Sequence, residues 1–314
     1  MKVRIVFCGT PEFAVPSLKQ LLKEADFEII GAITQPDRAR GRGQKVAISP
    51  VKETALAAGL AVHQPDKIRS PEAEARLREL APDAIAIIAY GQIVPARLLG
   101  IPRLGWINLH ASLLPKYRGA APMAWAIANG ETRTGVTTMR IDAGMDTGDI
   151  LLRQETAIGA EETAPELSAR LAEMGGAVMV ETLRGLAEGK IEPQPQNHAE
   201  ATLAPMLKKE DGRIAWGQTA EEIFNRMRGF ATWPGAYTGF RGQVCHLWGK
   251  PVSNKRAEAA PGTLRLDGGE LFAVCGSGTL LKLERVKLEG RKEVPAVEFA
   301  RGARIGGEER FGRE

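Results

Sequence analysis

Residues Asp83-Ala84-Ile85-Ala86-Ile87-Ile88-Ala89-Tyr90-Gly91 contain the longest apolar run of the chain, seven residues from Ala84 to Tyr90. A run this short and continuous offers no alternation between a dry and a wet face, so it reads as a strand covered on both sides. Residues 3–8 have the same character apart from Arg4. Such strands belong to parallel sheets, whose crossover helices cover both faces. The residues after Cys8 fit that scheme. Thr10-Pro11-Glu12 has the order of an N-cap, a proline at the first helical position and an acid in the first turn. Phe13, Leu18, Leu21 and Leu22 then supply an apolar helix face, and a second strand is expected over 27–34. This β-α-β opening predicts an α/β fold with a doubly wound, Rossmann-like N-terminal domain.

The first turn holds a single glycine, Gly9, so the dinucleotide fingerprint G-x-G-x-x-G is absent, as is the phosphate loop G-x-x-x-x-G-K-[ST]. Nicotinamide- and ATP-dependent chemistry lose ground on that count. Further helices are expected over 50–58, from Ser70-Pro71-Glu72 onward, over 122–129, and after the capping box Thr163/Glu166. Strands are expected near 60–62, over 105–110 and over 134–141. The long helix after Thr163 would place Leu167, Leu171, Met174, Val178 and Leu186 toward a core.

The chemistry concentrates where the strand 105–110 ends. Alternation sends Ile107 and Leu109 to one face and Asn108 and His110 to the other. A carboxamide donates hydrogen bonds without changing charge, and an imidazole moves protons near neutral pH. That pair suits a reaction in which a carbonyl becomes an oxyanion while protons change hands. Asn-x-His alone is common spacing and by itself reads more readily as a satisfied core histidine beside a strand-end cap. The continuation Ala111-Ser112-Leu113-Leu114-Pro115-Lys116-Tyr117-Arg118-Gly119 cannot prolong the strand past Pro115, so a shaped loop must close this end of the sheet. Asp142 and Asp146, four apart in a glycine-bearing loop, read by themselves as an ordinary turn without the oxygen ligands of a calcium loop.

A chain of 314 residues favours two domains. Residues 190–205, rich in proline and glutamine, have linker composition and divide 1–189 from 206–314. Past the linker, the capping box Thr219/Glu222 opens a helix, and short strands punctuated by glycine run to about Phe299. That pattern suits a small oligonucleotide-binding-like β-barrel domain. Residues 206–314 carry 19 Lys and Arg against 14 Asp and Glu, a net of +5, while the other 205 residues sum to −1. The excess can be a solvated surface; the sharper reading is a polyanionic partner. Between 34 and 49 lies a second basic element, a loop too long for a strand-to-helix link, with Arg38, Arg40, Arg42 and Lys45 among glycines. It reads either as a basic surface loop or as an arm that orders on RNA. Cys8, Cys245 and Cys275 are an odd count without paired spacing, so neither a disulfide framework nor a zinc site is expected. No apolar run spans a bilayer, the N-terminal apolar stretch stops at Gly9, and a cytoplasmic protein is expected. No obvious association helix is present, so a monomer is expected.

The block of Asn108, His110, Ser112 to Pro115 and Arg118-Gly119 resembles the signature of formyltransferases that use 10-formyltetrahydrofolate. The segment 204–216, beginning Ala204-Pro205-Met206-Leu207-Lys208-Lys209, resembles the start of the C-terminal domain in the branch acting on methionyl-tRNA. The resemblance extends over essentially the whole chain. It implies transfer of the formyl group of 10-formyltetrahydrofolate, as co-substrate, to the α-amine of methionine on initiator methionyl-tRNA, without a metal. It implies Asn108, His110 and Asp146 as catalytic, with Asp146 holding His110 in a useful tautomer directly or through water. It further implies a folate site at Ile88, Ala89, Tyr90 and Gly91, with Ser112, Leu113, Leu114 and Pro115. For the tRNA it implies Arg38, Arg40, Lys45, Lys208 and Lys209, with Arg42 the inserted arginine of the arm. The rival readings are formyl transfer to another amine, such as a glycinamide ribonucleotide or an amino sugar, and a non-enzymatic RNA-binding protein. The basic arm and the extra domain speak against the first; folate binding and turnover would exclude the second.

Overall fold

The computed structural model describes residues 2–40, 45–306 and 309–312, with backbone only at 38–40, 45 and 46. The chain packs into two compact units, one of residues 1–122, 133–157 and 167–205, the other of 123–132, 158–166 and 206–314. In chain order the elements up to Ala187 are β1 (Val3–Gly9), α1 (Val15–Lys23), β2 (Phe27–Ile33), β3 (Arg38–Arg40), β4 (Lys45–Ala47), α2 (Pro50–Ala57), β5 (Val62–His63), α3 (Pro71–Leu80) and β6 (Ala84–Ile88). They continue with α4 (Ala96–Leu99), β7 (Trp106–His110), α5 (Pro122–Ala128), β8 (Arg133–Arg140), β9 (Ile150–Ala157) and α6 (Ala164–Ala187).

Seven of these strands form one sheet in the order β5-β2-β1-β6-β7-β8-β9. The pairs from β5 through β7 are parallel, whereas β8 runs antiparallel to both β7 and β9. As its apolar run requires, β6 is buried at all five positions; in β1 the single exposed residue is Arg4. Val6, Cys8, Ile33, Ile85, Ile87, Leu77, Leu98 and Trp106 share one core cluster. Each large aliphatic side chain so buried contributes ~1.5–3 kcal/mol of transfer free energy. The strand order reverses between β1 and β6, where Gly9 lies beside Ile88. Next to β6, Ile87 pairs with Asn108 of β7. The carboxyl ends of β1, β6 and β7 therefore open on the same edge, where crevices form in sheets of this kind. Behind β7, α6 comes so near that a Cβ on Gly175 would lie 2.4 Å from Leu109 Cδ2.

Several local expectations shift. Thr10 is not a helix N-cap: residues 12–14 form a 3-10 turn and α1 begins at Val15. The Thr10 hydroxyl instead accepts from Gln35 N at 3.2 Å and points to Tyr90 O at 3.4 Å, so a long-range contact replaces the local cap. The strand expected at 60–62 forms at Val62–His63. In the expected loop 34–49, β3 and β4 pair as an antiparallel hairpin, Arg38 against Ala47 and Arg40 against Lys45. Residues 190–205, read as a linker from composition, are tied into the first unit. Ile150 and Gln194 exchange backbone hydrogen bonds of 2.8 and 2.9 Å, and Ala204 N donates to Arg118 O at 2.7 Å.

The second unit adds α7 (Ala220–Gly229), β10 (Tyr237–Phe240), β11 (Gln243–Arg256), β12 (Leu264–Asp267), β13 (Glu270–Val274), β14 (Thr279–Leu288), β15 (Val294–Pro295) and α8 (Ala296–Gly302). Its strands form an antiparallel sheet in the order β10-β11-β14-β13-β12, with β15 against β14. Register shifts after Trp248 and Val252 interrupt the ladder of β11 with β14, the irregularity by which long strands bend. Ile223 and Met227 of α7 and Phe299 of α8 join Phe240, Leu247, Leu281 and Phe311 in its core. Thr219 caps α7 through the expected box with Glu222. Burial pushes the thiols of Cys245 and Cys275 up to about 12.

Candidate active site

β7 places its side chains as alternation requires: Ile107 and Leu109 are buried in the core, and Asn108 and His110 share the other face. Asn108 is half-buried, and its carboxamide has no hydrogen-bond partner among the described residues. The side chain of His110 is 7% exposed. Its Nε2 lies 2.8 Å from Tyr117 O. A carbonyl only accepts, so Nε2 carries the proton and, in the neutral ring, the lone pair sits on Nδ1. Nδ1 faces Asp146 Oδ2 at 3.6 Å. The expected trio is thus brought together, with an unengaged amide donor beside an imidazole backed by a carboxylate. Nδ1 is therefore the nitrogen that can take a proton, because Nε2 is committed to Tyr117.

Asp146 is held at both ends. Its carboxylate accepts from Gly119 N at 2.8 Å, and its carbonyl accepts from Gln196 Nε2 at 2.9 Å. Its backbone has a φ of +55°, a left-handed conformation that non-glycine residues seldom adopt. Gly119, at φ +119°, also approaches closely: a Cβ there would meet Ala204 O at 2.7 Å.

At the end of β6, Ala89 and Gly91 have positive φ values of +47° and +88° and turn an exposed backbone around Tyr90. Tyr90 O accepts from Gln35 Nε2 at 3.1 Å. Ile88 and the Tyr90 ring lie in the core, and burial pushes the Tyr90 phenol well above its ordinary range. Of these four residues, Ala89 and Gly91 present surface, while Ile88 and Tyr90 have only backbone to offer a ligand. The Ser112–Pro115 loop is likewise built inward. Ser112 Oγ donates to Lys116 O at 2.6 Å, and the Thr137 hydroxyl donates to Ser112 O at 2.7 Å while accepting from Leu114 N at 3.1 Å. Leu114 packs with Met139 and Ile150, and Pro115 is buried after a cis peptide bond. Leu113 alone of the four has a half-exposed side chain. The side chains of Ser112, Leu114 and Pro115 therefore shape the loop, and contact with a ligand would fall to its backbone.

Among the basic residues, Arg42 lies outside the described residues, and Arg38, Arg40 and Lys45 are described as hairpin backbone. The root of that hairpin is fixed. Gln64 Nε2 donates to Gln35 O and to Asp37 Oδ1, both at 2.9 Å, and Lys52 bonds Asp37 and Gln64. The Lys52 ammonium holds the Asp37 carboxyl below its usual range. Lys208 and Lys209 are exposed in the second unit, where Lys208 N donates to Asp211 Oδ2 at 2.7 Å. No group of three or more His, Cys, Asp and Glu suited to a metal is found among the described residues, nor a helix long and apolar enough to cross a membrane. No sequence signal gives Thr10, Gln35, Tyr117, Gly119 or Gln196 its role in the site, although Gly119 belongs to the signature block. Tyr117 and Gly119 act through backbone atoms, and Gln196 reaches Asp146 across 50 residues, so no local pattern reveals these contacts.

Comparison with known proteins adds to this geometry. The family model for formyl transferase matches residues 1–183, and that for the formyl transferase C-terminal domain matches 206–304. A methionyl-tRNA formyltransferase of Solibacter usitatus is 54% identical over 311 residues, covering 99% of both chains. Another, of Acidobacterium capsulatum, is 52% identical over 311 residues, covering 99% of this chain and 100% of that one. Among solved structures, an N-formyltransferase from Helicobacter canadensis in complex with folinic acid and dTDP-3-aminofucose shares the fold. Its TM-score is 0.66 at 19% identity, covering 90% of this chain and 98% of the other.

Proposed function

The chain belongs to the formyl transferase family, and from that premise we propose that it transfers the formyl group of 10-formyltetrahydrofolate to the α-amine of methionine on initiator methionyl-tRNA, for translation initiation. Relatives more than 50% identical along nearly their whole length are methionyl-tRNA formyltransferases, which supports the amine acceptor and the tRNA. The observation that carries the chemistry is the unpartnered Asn108 carboxamide beside His110, whose Nδ1 faces Asp146. The neutral amine attacks the formyl carbon and produces a tetrahedral oxyanion. Asn108 donates to that oxyanion. His110 Nδ1 takes the proton released by the amine and returns it to N10, whose bond to the formyl carbon then breaks. Asp146 stabilises the imidazolium in between. The crevice beyond Ala89 and Gly91 holds the folate, and the arm with Arg38, Arg40, Arg42 and Lys45, together with Lys208 and Lys209, contacts the tRNA. The protein acts as a cytoplasmic monomer; its three unpaired, buried cysteines agree with a reducing compartment.

Transfer of labelled formyl from 10-formyltetrahydrofolate to charged initiator methionyl-tRNA, with charged elongator methionyl-tRNA alongside, tests this reading. Formylation of the initiator form alone is expected. Formylation of neither, with folate still bound, would move the reaction to another amine such as an amino sugar. Arg42→Ala is expected to raise the KM for the tRNA roughly 5- to 150-fold, the loss of about 1–3 kcal/mol from one arginine contact to nucleic acid. The KM for the folate should stay unchanged; an equal rise in both would make the arm a structural element.

A further inference from the structure

Three consecutive residues after the Ser112–Pro115 loop reach the His110–Asp146 pair by separate routes. Tyr117 O receives His110 Nε2, Gly119 N donates to the Asp146 carboxylate, and Arg118 acts through Gln196. Arg118 is 7% exposed and Gln196 5%. Arg118 donates from Nε and Nη2 to Gln196 Oε1, at 3.1 and 2.6 Å. Gln196 Nε2 donates to Asp146 O at 2.9 Å and to Gly148 O at 2.7 Å. A guanidinium can only donate and carbonyls can only accept, so the orientation of the Gln196 amide is chemically determined. The turn it grips is tight: a Cβ on Gly148 would fall 1.8 Å from Arg140 O, and Asp146 itself is left-handed. Gln196 in turn lies in a stretch anchored by Tyr117 N to Thr202 Oγ1 at 2.8 Å and by Arg118 N to Thr202 O at 2.9 Å.

We propose that Arg118 and Gln196 are positioning residues, a buried brace that sets the backbone of the Asp146 turn so that its carboxylate backs His110 Nδ1. The catalytic consequence rests on the formyl-transfer reading above; the brace itself rests on the hydrogen bonds. Neither residue bonds His110 or the Asp146 carboxylate. Their effect should therefore fall on the geometry of the pair and leave substrate affinity alone.

The test uses the full chain with three variants. Gln196→Met fills a similar volume without hydrogen bonds. Gln196→Glu keeps the contact with Arg118 but turns an anionic oxygen on the two carbonyls. Arg118→Lys keeps the charge without the fork. With both substrates, kcat is expected to fall roughly 10²-fold in Gln196→Met and Gln196→Glu, the scale of a misplacement near 1 Å. The KM values for folate and tRNA should hold, while the melting temperature falls by a few degrees because buried groups lose their partner. Independently of activity, NMR spectra of the chain's four histidines at one fixed pH, with His110 assigned by its absence in His110→Gln, should show the His110 ring resonances displaced in Gln196→Met, because Nδ1 loses the carboxylate that faces it. Unchanged His110 resonances with undiminished kcat overturn the brace, as does a kcat loss matched by equal KM increases. Should a Gln196 variant fail to fold, Arg118→Lys gives the same two readouts. If the unmodified chain forms no formyl-methionyl-tRNA, the reading of methionyl-tRNA as the acceptor fails, and the His110 resonances still decide the brace.

Discussion

His110→Gln is expected to lower the turnover of formyl transfer by about 10²–10⁴-fold, the usual worth of general acid–base help. Glutamine is the informative replacement because its amide can still donate to Tyr117 O, the contact that His110 Nε2 makes at 2.8 Å. Loss of that donor would otherwise leave a carbonyl unsatisfied in a site where His110 is 6% exposed, at ~1–3 kcal/mol of stability. What glutamine cannot do is take a proton at the Nδ1 position facing Asp146. A large loss of kcat at preserved melting temperature therefore isolates proton transfer. Near-native turnover in a folded His110→Gln protein would remove the acid–base role and leave His110 as a strand-end anchor.

Asn108→Ala is expected to lower kcat by roughly 10²–10³-fold, equivalent to about 2.7–4 kcal/mol, the loss typical of one oxyanion donor. The structure adds a reason to expect little damage to the fold. Asn108 is half-buried and its carboxamide bonds no described residue, so truncation strands no internal partner. The KM for the folate donor should change little, since the hydrogen bond strengthens only as charge develops on the formyl oxygen. Steady-state kinetics with both substrates varied is the check. A rise in KM with kcat unchanged would make Asn108 a ground-state binding residue.

Much of the fold was legible because its signals are local. The continuous apolar runs of β1 and β6, and the caps at Ser70 and Thr219, are written in residues a few positions apart. Thr10 shows where such reasoning fails. Thr-Pro-Glu satisfies the local rule for a helix start, yet the hydroxyl finds Gln35 and Tyr90 instead. The prolines and glutamines of 190–205 carry the composition of a linker. Composition cannot report that Gln196 is enclosed by Arg118 and two carbonyls.

The same division runs through the site. Strand alternation by itself puts Asn108 and His110 on one face, because side chains i and i+2 cannot do otherwise in an extended backbone. The residue pattern alone left Asp146 an ordinary turn, and its place in the site came only from family resemblance. Tertiary structure decided that its carboxylate stands 3.6 Å from His110 Nδ1, and which imidazole nitrogen is committed to Tyr117. It decided the buried brace as well. The reason is physical: Tyr117 O and Gly119 N are groups that nearly every residue possesses, so only packing selects the ones that work. A contact across 50 residues, such as Gln196 to Asp146, exists only once the sheet and its loops have closed around it.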